Sequence, residues 1–115
     1  MEKISDATFK GASGTPYDFE VYTLNSPLPA KSGVYMFTRR KIREDRVSHK
    51  ILYIGESRNV ADRVAHHEKL PCIARHEGDC VCIHLDGVAE SCRKKVTDLL
   101  DTGRPPWPPC NFMER

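Results

Sequence analysis

Two short β-rich runs, Gly33-Val34-Tyr35-Met36-Phe37 and Ile51-Leu52-Tyr53-Ile54, are followed at once by a stretch whose apolar residues change to helical spacing. Strand residues crowd a pleated surface well, whereas Val60 and Val64, four apart, stand on one side of a helix. The change of period predicts an α+β chain. Asn59 suits the N-cap of that helix and Asp62 its positive end, so a helix is expected from about Asn59 to Lys69. A short helical turn is expected over Ile73 to Glu77, closed by Gly78.

Upstream, turn residues between Thr8 and Pro16 precede the alternating run Tyr17-Asp18-Phe19-Glu20-Val21-Tyr22, which reads as a small N-terminal hairpin. Downstream, Cys80 to Leu85 has the period of a third strand, with Val81, Ile83 and Leu85 on one face and Cys80, Cys82 and His84 on the other. Val88, Cys92, Val96, Leu99 and Leu100 then mark a last helix, ended by Gly103 and the proline pairs at 105 to 106 and 108 to 109. The expected architecture is a small, three-stranded, mainly antiparallel sheet flanked by helices. It is one unit over residues 1–115, with a hairpin extension at 1–28 and a core at 29–111.

The 115 residues are 39% hydrophobic and 30% charged, an ordinary globular balance. No apolar run approaches the roughly 20 residues that cross a bilayer, and the first residues do not resemble a secretory signal. A cytoplasmic protein without a membrane partner is expected. The five cysteines are an odd number in a chain long enough to fold without bridges, so reduced thiols are the default expectation.

Tyr35, Tyr53 eighteen residues later, Arg63 ten beyond that, His67 four further on and a terminal Pro109-Cys110-Asn111 form a constellation. Together with Gly33-Val34-Tyr35 and Tyr53-Ile54-Gly55, it resembles the GIY-YIG nuclease superfamily in its small single-domain bacterial form. The resemblance covers roughly Pro29 to Asn111. It implies a divalent-metal-dependent endonuclease acting on phosphodiesters, with Mg²⁺ or Mn²⁺ as cofactor and nucleic acid, DNA first, as partner. It also implies that Tyr35 helps deprotonate the water, Arg63 stabilises phosphate charge, and Tyr53, His67 and Asn111 position the groups. Gly55 is expected to turn the chain tightly into the helix beside the nucleic acid. An Arg fork suits phosphate oxygens on its own chemistry.

The chain departs from the family at one position. Where the last helix of the family carries a metal-holding glutamate, three residues before a pair matched here by Leu99-Leu100, this sequence has Val96. The helical neighbours of Val96 are Ala89, Cys92, Arg93, Leu99 and Leu100, none of them a carboxylate. A hard cation wants oxygen ligands, so two readings stand side by side: an active endonuclease, and a nuclease-like module that binds nucleic acid without cutting it.

Positive charge gathers between the two β-rich runs. Residues 39 to 50 hold six cations, among them Arg39, Arg40, Lys41 and Arg43, against two carboxylates, and they read as a charged loop that contacts phosphates. A third reading takes His67, Cys72, His76, Cys80, Cys82 and His84 as ligands of a structural zinc. Their spacing matches no common two-plus-two zinc pattern, which makes zinc the least favoured cofactor.

Overall fold

A computed structural model of the protein describes residues 3–102 and 108–112. The chain runs β1 (Ser5–Lys10), β2 (Pro16–Thr23), β3 (Gly33–Arg43), β4 (Arg46–Ser57), α1 (Val60–Ala65), α2 (Leu70–Arg75), β5 (Cys80–Leu85), α3 (Ala89–Leu100) and α4 (Pro109–Phe112). The α+β class is as expected. The strand count is not: five strands form one antiparallel sheet in the order β1-β2-β5-β3-β4. The N-terminal hairpin is a part of that sheet because β2 pairs with β5, Val21 opposite Cys82 and Tyr22 opposite Val81. β5 is buried along Cys80–Ile83 on both faces, and its two edges are paired with β2 and β3.

Alternation sorts the core into two layers. Tyr35, Phe37, Val81 and Ile83 face Val60 and Val64 of α1 together with Cys72 and Ile73 of α2. Val34, Met36, Ile54, Cys80 and Cys82 face Cys92 and Leu99 of α3. The sheet curls towards the second layer until Phe9 of β1 and His49 of β4, from opposite edges, stand 6.2 Å apart. Val88, expected in the apolar stripe of the last helix, is instead its N-cap and 60% exposed. The expected stop signals at Gly103 and residues 105 to 106 lie outside the described residues.

Two local expectations change for physical reasons. The helix expected from Asn59 to Lys69 ends at Ala65 as α1, and the short turn expected over Ile73 to Glu77 is a helix, α2, that runs from Leu70 to Arg75. Pro71 lies in the first turn of α2, where its missing N–H costs nothing. In a continuous helix its ring would strike the carbonyl of His67. The cap is as expected: the Asp62 amide donates to Asn59 Oδ1 at 3.1 Å.

The charged segment 39 to 50 is not a loop. β3 and β4 continue as a ladder from Thr38↔Ile51 to Arg43↔Arg46, closed by Glu44 and Asp45 at φ 50° and 65°. Two residues with positive φ give the turn whose twist matches paired strands. Neither is the glycine that announces such a turn in a sequence.

Candidate functional site

Tyr35 stands at the centre of the sheet face covered by α1 and α2. Its ring stacks at 6.0 Å on Tyr53, and His67 meets Tyr53 edge-on at 4.7 Å. Tyr35 Oη lies 2.8 Å from His67 Nε2. The backbone N–H of Lys69 donates to His67 Nδ1 at 3.0 Å, so Nδ1 holds no proton. The neutral ring then carries its proton on Nε2 and donates it to Tyr35 Oη, an assignment that follows from the hydrogen-bond network. His67 therefore has both nitrogens committed. It does not project from the helix of Arg63, as expected, but from the turn after α1, and it is only 3% exposed.

Burial pushes the Tyr35 hydroxyl well above the ordinary phenol range. Tyr53 adds to this and the Arg63 charge opposes it. The side chain expected to help deprotonate a water thus keeps its own proton at neutral pH, and Tyr35 is 1% exposed. Arg63 clamps Glu68 with both fork nitrogens, at 2.6 and 2.8 Å. That bond raises the guanidinium above its already high range and holds the Glu68 carboxyl down at about 2. Arg63 is one-third exposed and Glu68 more so, which makes this pair the outward rim of the cluster.

Gly55 is not a turn residue. It lies inside β4 opposite Tyr35, and a Cβ there would come within 2.6 Å of Tyr35 Oη and 2.9 Å of Tyr53 Cε1. Its bare backbone makes room for the two tyrosines. Asn111 does not enter the cluster either. Its amide accepts from the Ile54 N–H at 2.8 Å and donates to the Ile54 carbonyl at 3.0 Å. β4 is an edge strand, and this side chain completes its outer hydrogen bonds where a further strand would otherwise pair.

Val96 belongs to the other layer, packed with the cluster of Val34, Met36 and Ile54 against α3. The sheet separates it from Tyr35, so a carboxylate at this position would not join the tyrosine cluster. Val96→Glu is expected to lower stability by about 1–3 kcal/mol, because a charge would enter a half-apolar seam, without producing Mg²⁺-dependent cleavage. Denaturant titration beside a plasmid-nicking assay checks both parts. A stable variant that cuts would overturn the placement.

The donor set near Tyr35 does not fit a hard divalent cation. Among the described residues its members are two phenols, a committed imidazole and a guanidinium, with one carboxylate, Glu68, bound to that guanidinium. Mg²⁺ would need oxygen anions. The six residues read as zinc ligands do not form one site, because Cys80 and Cys82 lie in the α3 layer and Cys72 in the α1–α2 layer. Cys72 is joined to Cys110 by a disulfide, which corrects the expectation of five reduced thiols. Cys80, Cys82 and Cys92 are free and buried, and burial pushes the Cys80 and Cys82 thiols up to about 11 and about 12.

Outside the cluster, the same sheet face carries charge. Side chains alternate along β3, so Arg39, Lys41 and Arg43 continue the face of Tyr35 and Phe37. Their partners on β4 are Lys50, Ser48 and Arg46. Leu52 is the reason these even-numbered residues share a face with Tyr53. Phe37 pairs with Tyr53 and Thr38 with Ile51, which leaves Leu52 as a bulge that resets the alternation. Arg40, expected among the nucleic-acid contacts, falls on the opposite face with His49. Arg39 pairs with Glu77 at 3.0 Å. Lys41, Arg43, Arg46 and Lys50 form no ion pair among the described residues.

His67 makes the fold sensitive to mild acid. Desolvation, with the Arg63 charge next, lowers its imidazole to about 4 from 6.5. Protons then bind the unfolded chain first, so this contribution is complete above pH 6.5, shrinks as pH falls towards 4, and is absent below. Its full size is about 3 kcal/mol at roughly 1.4 kcal/mol per pKa unit. His49, lowered by its own burial, acts with the same sign. Unfolding free energies at pH 7 and pH 5 should therefore differ by about 2 kcal/mol, and His67→Gln should remove most of the difference. An unchanged pH slope in that variant would refute the assignment.

No protein-family model, curated protein or solved structure matches the chain. No helix among the described residues is long and apolar enough to cross a membrane.

Proposed function

We propose that the protein is a GIY-YIG-like module that binds nucleic-acid phosphates without cleaving them. The observation that carries this reading is the one-sided charge of the β3–β4 ribbon. Arg39, Lys41, Arg43, Arg46 and Lys50 share one face, with Arg43 directly opposite Arg46 and Arg39 opposite Lys50. Like charges opposed across a ladder are destabilising, so a face of this kind costs folding energy that an anionic partner returns. That face continues into the Tyr53 and Arg63 rim. Arg63 supplies a bidentate fork for a phosphate once Glu68 yields it.

Binding is favoured over cutting by the chemistry of the cluster. Tyr35 is sealed and protonated, His67 is committed on both nitrogens, and the carboxylate expected to hold a metal is Val96 on the other face. The test is fluorescence anisotropy with single-stranded and duplex DNA and RNA at several salt concentrations, run beside a cleavage assay with Mg²⁺ or Mn²⁺. Salt-sensitive binding of intact oligonucleotides is expected, weakened by Arg63→Ala. Absence of binding at low salt would overturn the proposal, and cleavage lost in Arg63→Ala would restore the endonuclease reading.

A further inference from the structure

Cys72, His76 and Cys110 come together away from the tyrosine cluster, with their ligand atoms all within 4.8 Å of one another. The chain brings this about simply. Cys72 lies in α2, and His76 follows four residues later at its C-cap, one turn further on the same side. Cys110 arrives from α4, held to the sheet edge by the Asn111 clamp on Ile54. Both sulfurs are buried, at 2% and 0% exposure for their residues, while His76 sits half-buried at the rim and gives an ion a way in.

We infer that reduction of the Cys72–Cys110 disulfide turns this corner into a Cys₂His site for Zn²⁺ or another thiophilic divalent ion. A thiol reductant supplies two electrons and two protons, breaking the S–S bond to two thiols while two reductant thiols become a disulfide. The metal then displaces one proton from each cysteine and takes a neutral nitrogen of His76, with water in its fourth position. Tetrahedral zinc with Zn–S near 2.3 Å and Zn–N near 2.1 Å needs ligand atoms about 3.5–3.8 Å apart. The three atoms stand within 4.8 Å of one another, so the sulfurs have to part and the His76 ring to close in, both by side-chain rotation. In either state α4 stays tied to α2, by a covalent bond when oxidised and by the ion when reduced. The other three cysteines do not compete, because they lie in the layer behind the sheet as buried, protonated thiols.

The full chain, reduced and freed of reductant under nitrogen, is titrated with Co²⁺ and then with Zn²⁺. One Co²⁺ per chain with a thiolate-to-cobalt charge-transfer band is expected, displaced by Zn²⁺, with no band from the oxidised protein. His76→Ala leaves both cysteines in place and should weaken binding at least tenfold, while Cys110→Ser should abolish the band. Circular dichroism confirms that each variant is folded. A reduced protein without the band, an unchanged titration in His76→Ala, or a band that survives Cys110→Ser would each overturn the inference.

Discussion

Replacing Lys41, Arg43, Arg46 and Lys50 together by Gln should weaken nucleic-acid binding on the order of a thousandfold at 0.1 M salt. Each phosphate contact contributes close to one unit to the slope of log affinity against log salt, so the slope should also flatten by three to four. The loss should be similar for all sequences, because these residues meet a backbone and not base edges. The informative control is Arg40→Gln, which removes a charge of the same segment from the opposite face. If four neutralised residues leave the slope unchanged, or if Arg40→Gln alone reproduces the loss, the ribbon face is not the binding surface. Folding should benefit, since the variant relieves the repulsion between Arg43 and Arg46 and between Arg39 and Lys50.

Breaking the Cys72–Cys110 disulfide should cost close to 4 kcal/mol when metal is kept out with a chelator. The bridge spans 38 residues, and in the chain-entropy view a loop of that length loses roughly this much freedom in the unfolded state. A domain of this size has about 5–15 kcal/mol in all, so the drop in melting temperature should be large. The damage should begin at one place. Without the bridge, α4 is held to β4 largely by Asn111, and amide hydrogen exchange at Ile54 should accelerate before the centre of the sheet responds. A melting temperature that ignores both thiol reductant and Cys110→Ser would mean that the bridge is not formed in solution.

Much of the architecture is legible in the residues alone. Period-two alternation at Cys80–Leu85 places Val81 and Ile83 on one face and Cys80 and Cys82 on the other, and the structure keeps that division. Asn59 is a cap because its short carbonyl side chain reaches the Asp62 amide, a local event that needs no tertiary context. That Tyr35, Tyr53 and Arg63 lie near one another is readable from two adjacent strands and the next helix, whereas His67 joins them from the turn after α1 and not from the helix face its spacing pointed to. The concentration of charge between Arg39 and Lys50 is plain from the sequence as well.

Which face each group takes was decided only by the tertiary structure. The bulge at Leu52 carries no residue signature, yet that one extra residue puts Arg46 and Lys50 beside Tyr53. The turn at Glu44 and Asp45 lacks glycine, so continuation of the ribbon depends on pairing across it. Helical spacing marks Val96 as inward-facing, but whether inward means towards Tyr35 depends on which side of the sheet α3 covers. Cys72 and Cys110 are far apart in the chain, and their pairing waits on α2 and α4 meeting at one edge. Local chemistry, acting over a few residues, is written into the sequence. Sidedness and long-range pairing arise only when the sheet has closed, because burial, not propensity, selects among strand registers and layers of similar local energy.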